Sequence, residues 1–137
     1  MSTELRVGDE VVAVLSGSKS FGRKATATVG DKLFILSSSG KNTLRSRLRE
    51  SGKVDDVVVM EHTGAAKGAI SIGDAAYELL RSIDGIWEVR SPDRGLIMTF
   101  VRDVKDPSQG RAVMDVQDDN ALLLALFVWF ALRAMEC

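Results

Sequence analysis

The chain closes on its most hydrophobic stretch. Ala121 to Leu132 form an unbroken run without a polar side chain, set between Asp115, Asp118 and Asp119 on one side and Arg133 on the other. Asp118, Asp119 and Asn120 are residue types that cap a first helical turn and complement its positive dipole end, and Arg133 suits the negative end. A helix is therefore predicted over about 119–133. Its large apolar residues, from Leu122 and Leu123 to Phe130 and Leu132, cover every direction of the helical wheel, and a helix apolar all round must be enclosed on all sides. Twelve helical residues rise about 18 Å, well short of the bilayer's hydrocarbon layer of about 30 Å. The charged flanks prevent extension, so the segment is predicted to fill the protein's own interior and not to cross a membrane.

Upstream, the pattern changes to short alternating runs separated by turn residues. In "AAYELLRSIDGIWEVR", Asp84-Gly85 supplies the two positive-φ positions of a tight hairpin between apolar-rich arms. Gly73-Asp74 separates "AISI" from "AAYELL", and "SPDRG" offers Pro92 at a turn's second position with Gly95 at its exit. With "LIMTFVR" and "RAVMDV" beyond, residues 69–116 are predicted to form a five-stranded antiparallel meander. The N-terminal half repeats the pattern in "EVVAVL", "KATATV", "KLFIL", a segment around "TLRSRLRE" and "DVVVMEH", with Gly30-Asp31 and Ser39-Gly40 as turns.

These runs predict a mainly β, α+β chain: a single domain over residues 1–137, as an antiparallel β-barrel of about ten to twelve strands enclosing a hydrophobic C-terminal α-helix. A closed sheet is the arrangement that surrounds one helix on every side. The alternative is a two-layer α+β domain, which would leave half of an all-apolar helix exposed unless a second subunit covered it.

Composition agrees with one globular domain. The chain has 137 residues, 45% hydrophobic and 27% charged, enough to bury a core without metal or disulfide support. Cys137 is the one cysteine, so no internal disulfide is expected and a cytosolic location is the default. The first residues place acidic groups before a short apolar stretch, the wrong order for a signal peptide, and "AMEC" is not a prenylation box. The net charge of −1 is unevenly spread: residues 19–53 carry nine Lys/Arg against Asp31 and Glu50, a local +7 that leaves −8 for the remainder. Such asymmetry suits either an anionic partner for one surface or an ordinary solvated surface on which folding intermixes the two segments.

At the C-terminal end, "IMTFVRDVKD" followed by "AVMDVQDDNALLLALFVWFALRAMEC" resembles the ending of the tubby-like superfamily. That superfamily includes tubby proteins, phospholipid scramblases and LURP-one-related proteins. In it, a last strand and a short polar bend lead into a hydrophobic helix that threads a β-barrel. The resemblance covers Leu96 to Cys137, about a third of the chain. It implies a non-catalytic domain, and tubby domains bind phosphoinositide headgroups through a Lys and an Arg in a "GKLRS"-like segment. Here "GKNTLRSRLRE" makes Lys41 and Arg45 the corresponding residues, with Asn42-Thr43 as a two-residue insertion that preserves strand facing. The chain is shorter than a tubby domain and lacks the transmembrane tail of scramblases.

Read as a strand, "TLRSRLRE" turns Leu44, Ser46 and Leu48 to one side and Arg45, Arg47 and Arg49 to the other. Same-side residues lie about 7 Å apart, and a row of guanidiniums matches the oxygens of a phosphorylated headgroup or an anionic membrane surface. Lys24 and Arg23 are candidates to join the patch. Read as a helix, Leu44 and Leu48 are a core pair and the arginines a solvated face.

Other chemistry finds little support. The Ser16–Gly22 loop lacks the GxxxxGK[ST] spacing of a phosphate-binding loop, and "SSSGKNT" lacks its first glycine. His62 is the one histidine, which removes His-based metal clusters, and it is expected to be solvated near a strand end. The run Asp103, Asp106, Asp115, Asp118 and Asp119 lacks a calcium-loop pattern and is expected to cap and solubilise. Trp87 and Tyr77 are expected to pack within the sheet. No cofactor, no metal, no catalysis and no nucleic acid are expected. The partner classes left open are phosphoinositide or an anionic membrane surface met peripherally from the cytoplasm, and a protein.

Overall fold

A computed structural model describes residues 2–7, 10–17, 24–39, 45–64, 67–83, 86–102, 110–115 and 117–136. They form eleven strands and one helix: β1 (Ser2–Val7), β2 (Glu10–Gly17), β3 (Lys24–Val29), β4 (Lys32–Ser39), β5 (Arg45–Glu50), β6 (Val58–Gly64), β7 (Lys67–Ile72), β8 (Ala75–Ile83), β9 (Ile86–Ser91), β10 (Gly95–Arg102), β11 (Gly110–Met114) and α1 (Ala121–Glu136). All strands belong to one antiparallel sheet, each pairing with its neighbours in sequence from β1 to β11. Among the described residues no pair joins β1 to β11.

Alternation sets which side of each strand is buried. Ala25 and Ala27 of β3, Phe34 and Leu36 of β4, Leu48 of β5, Val58 and Met60 of β6, and Ile70 and Ile72 of β7 are all buried. Their neighbours Lys24, Thr26, Thr28, Arg45, Arg47, Lys67 and Ala69 are exposed. The five predicted strands of residues 69–116 are present as β7 to β11, and those of the N-terminal half as β2 to β6. β1 was not predicted: "STELRV" carries Leu5 as its one described residue packed on the core, too little apolar signal to mark a strand.

Turn chemistry follows expectation where the chain is described. Gly73, between β7 and β8, has φ 57°, and Gly95, at the start of β10, has φ 76°, conformations open to glycine and strained for residues with a Cβ. β8 and β9 pair as far as Ile83↔Ile86, and the Asp84-Gly85 turn between them lies outside the described residues, as does Gly40.

The helix is enclosed. Leu124, Phe127, Val128, Phe130 and Ala131 are fully buried, and Leu126 and Leu132 are 3% and 1% exposed. These positions cover every side of the axis but the one carrying Leu122 and Trp129, which are partly buried, so the half-exposed helix of the two-layer alternative is not what is observed. Its backbone comes closest to β4 and β5. No helix among the described residues is long and apolar enough to cross a membrane.

The start of α1 is held by two of the three residues predicted to cap it, Asn120 and Asp118. Asn120 is the capping residue: its carbonyl accepts the Leu124 N–H at 2.8 Å. Asp118 precedes the helix and accepts the Asn120 N–H at 2.7 Å, while its second carboxylate oxygen accepts the Tyr77 hydroxyl at 2.9 Å. Arg94, in the β9–β10 turn, pairs with the same carboxylate, and Asn120 Nδ2 donates to Tyr77 Oη at 3.1 Å. Residues from β8, the β9–β10 turn and the β11–α1 link thus converge on one acidic group whose side chain is only 3% exposed.

Gly68 of β7 is buried opposite His62, and a Cβ built on it would lie 2.6 Å from Met60 Sδ and 3.0 Å from Met60 Cγ. Met60 is fully buried and has little room to retreat. Gly68→Val is expected to cost about 1–3 kcal/mol, the usual range for overpacking. Thermal melting checks this, and Met60→Ala in the same chain should recover part of the loss.

Candidate anion-binding face

β5 decides between the two readings of "TLRSRLRE". It is a strand, with Ser46 and Leu48 fully buried, Arg45 and Arg47 exposed and Arg49 half-buried on the opposite side. The guanidinium row therefore lies on the outer surface of the sheet. Leu44, Lys41 and Arg23 lie outside the described residues.

Register brings in residues from neighbouring strands. Ser37 of β4 pairs with Arg47 on one side and with Lys24 of β3 on the other, so Lys24, Ser37 and Arg47 form one line across three strands. Adjacent strands lie about 4.8 Å apart, which puts the Lys24 and Arg47 backbones about 10 Å apart with a hydroxyl between them. Arg45 sits opposite Ser39 in the same way. Of the predicted site residues, the structure thus brings Lys24, Arg45, Arg47 and Arg49 to one face. Ser37 and Ser39, which sequence reasoning missed, form its hydroxyl floor.

Each arginine already has a partner. Arg45 Nη2 lies 3.4 Å from Glu61 Oε1 on β6, Arg47 Nε lies 3.9 Å from Asp56 Oδ2, and Arg49 Nη1 donates to the Lys53 carbonyl at 2.9 Å. The two ion pairs are long and exposed, the kind worth about 0–1 kcal/mol and screened by salt. A phosphate group that accepts two or more charge-assisted hydrogen bonds competes well against such pairs. Lys24 has no ion-pair partner among the described residues. Arg49 is the least available, because it is half-buried and its guanidinium closes the β5–β6 loop.

Beneath this face lies a short polar chain. Ser38 and Ser46, both buried, share a hydrogen bond of 2.8 Å, and Ser46 Oγ lies 3.5 Å from His62 Nε2. His62 is half-buried rather than solvated near a strand end, and burial lowers its pKa below 6.5, so the ring is neutral at pH 7. The long contact to Ser46 and the lack of a hydrogen-bonded carboxylate on the ring among the described residues give no activated nucleophile. No group of three or more His, Cys, Asp or Glu among the described residues could hold a metal ion. What the arrangement can do chemically is hold an anion by charge and hydroxyl donors on its outer surface.

Comparison of the chain with protein-family models, curated proteins and solved structures finds no match.

Proposed function

We propose that the sheet curls around α1 as a barrel of tubby-like type, and that its basic outer face binds an anionic phospholipid headgroup of the phosphoinositide kind, or a similar polyanion, without catalysis. The observation that carries this reading is the gathering of Lys24, Arg45 and Arg47 about Ser37 and Ser39 on one face, the two arginines in long, exposed ion pairs and Lys24 in none among the described residues. Guanidinium forks and an ammonium around a hydroxyl match phosphate oxygens in geometry and charge. The enclosed helix and the superfamily resemblance of the C-terminal segment favour the barrel. In this reading the protein is cytoplasmic and meets a membrane peripherally. A second reading, a LURP-one-like interaction or structural barrel without a lipid ligand, is favoured by the fact that every arginine of the row has an acceptor within the chain.

Vesicle sedimentation discriminates the two. Replacing Arg45, Arg47 and Arg49 together by Ser is expected to weaken binding to phosphoinositide-containing vesicles at least about tenfold, and binding by the parent chain should fall as salt rises. The melting temperature should move by less than about 5 °C, because the two exposed ion pairs contribute little to stability and Arg49 adds a single surface hydrogen bond to the Lys53 carbonyl. Undiminished binding by the triple variant removes the lipid role from this face.

A further inference from the structure

The two outer strands of the sheet point to a second binding surface. β1 and β11 are its free edges among the described residues. In a meander of eleven antiparallel strands the first and last run the same way, so these edges offer each other only parallel pairing in a sheet where every observed pair is antiparallel. A strand antiparallel to β11 is antiparallel to β1 as well.

The β11 edge is equipped to receive such a strand. The Asp115 N–H donates to the Ile97 carbonyl at 2.8 Å, one step beyond Met98↔Met114. By the alternation of an antiparallel ladder, Val113 and Arg111 then bond to β10, while Ala112 and Met114 turn their N–H and C=O groups to the free edge. Ala112 and Met114 pair with the buried Phe100 and Met98, so their side chains are on the core side of the sheet, yet both are exposed, Met114 by 45%.

The helix side nearest this edge is also its least covered. Leu122, Ala125 and Trp129 share one stripe of α1, and Leu122 and Trp129 are only partly buried. A Cβ on Gly110 of β11 would lie 2.9 Å from the Trp129 ring, which puts the stripe beside β11. The Trp129 indole N–H is buried without a hydrogen-bond acceptor among the described residues, a group that ordinarily finds one. Arg111, on the outer side of β11, has no ion pair among the described residues.

We propose that β11 and the Trp129 stripe take an extended peptide segment of a partner protein as a twelfth, antiparallel strand. Its alternate apolar side chains cover Ala112 and Met114, and an acidic residue on its outer side faces Arg111. Main-chain bonds to Ala112 and Met114 supply the affinity, as in strand addition generally.

The probe is a fluorescent seven-residue peptide alternating Val and Glu, with a Val and Lys version as its counterpart, titrated by anisotropy against the full chain. Saturable binding of the Glu peptide is expected. Ala112→Pro, which removes an edge N–H and leaves the β10 ladder intact, should weaken it at least about tenfold with little change in melting. Arg111→Glu should reverse the preference, weakening the Glu peptide and strengthening the Lys peptide by about tenfold each. This pair decides the matter should Ala112→Pro fail to fold. No saturable binding of the Glu peptide up to about 1 mM, or binding indifferent to both substitutions, overturns the proposal. Sedimentation showing that the chain dimerises through this edge, with Ala112→Pro monomeric, overturns it in favour of a second copy as the occupant.

Discussion

Leu126→Asp is expected to leave the chain insoluble or unable to unfold cooperatively. Leu126 is 3% exposed in the middle of α1, with Phe127 and Val128 beside it fully buried. A carboxylate there finds no cation among the described residues of the helix, whose side chains from Ala121 to Leu132 are all apolar. It must either ionise in a low-dielectric interior or remain protonated at pH 7, and each costs several kcal/mol. The lost leucine removes a further share, since truncating a buried leucine alone costs about 2–5 kcal/mol. Together these approach or exceed the whole stability of a domain this size, about 5–15 kcal/mol. Leu126→Met keeps the volume and should cost less than about 1.5 kcal/mol. Solubility, circular dichroism and thermal melting of the two variants side by side make the test. A soluble Leu126→Asp chain with a sharp transition would mean that the helix can leave its enclosure.

The helix and most strands were legible because each follows a local rule. Twelve apolar residues between charged flanks define α1, and the period of two in "KATATV" defines β3 with the facing of its residues. "TLRSRLRE" suits a strand and a helix alike, because Leu44 and Leu48 are also four apart, and the structure resolves it as β5. β1 escaped because Leu5 alone among its described residues packs on the core; an outer strand is selected by main-chain pairing with β2, which leaves almost no apolar trace. His62 escaped for a related reason. Its neighbours Val58 and Met60 mark the inner side of β6, and counting by twos from them reaches His62, but a lone histidine near a strand end reads as solvated unless the strand's extent is known.

The candidate face was legible only in part. Arg45, Arg47 and Arg49 could be named from sequence as a row, with strand and helix readings both open, whereas the line Lys24–Ser37–Arg47 depends on two inter-strand registers. The Gly30-Asp31 turn, read correctly, fixes Val29↔Lys32 and with it Lys24↔Ser37. The β4–β5 pairing, Ser37↔Arg47, joins segments whose connection, 40–44, lies outside the described residues. The same contrast governs the start of α1. An acidic cluster before a helix predicts capping, but the partner that Asp118 finds in Tyr77 is 41 residues away and is specified by the whole meander.

Asp118→Ala is expected to destabilise the fold by about 2–4 kcal/mol, because the buried Tyr77 hydroxyl and the Asn120 N–H both lose their acceptor. Arg94, being exposed, simply returns to water. Burial alone would raise the Asp118 carboxyl; the Asn120 N–H, the Arg94 guanidinium and the Tyr77 hydroxyl outweigh it and hold the group below its ordinary 3.8. The folded state therefore favours the ionised form. Its contribution is complete at pH values above the unfolded-state pKa and is lost as the pH falls through the lower folded value. The Tyr77 phenol is shifted the other way, chiefly by burial and in part by the neighbouring carboxylate, so the fold favours its neutral form and that contribution is lost only above pH 10. Asp118→Asn separates charge from shape: it keeps a side-chain oxygen for the Asn120 N–H or Tyr77 but removes the titration. Stability against pH, followed by urea unfolding from pH 2 to 7, should show an acid-side decline in the parent chain that is shallower in Asp118→Asn. Parallel curves would mean that Asp118 carries no net preference for its ionised form and that the helix start is held by packing alone.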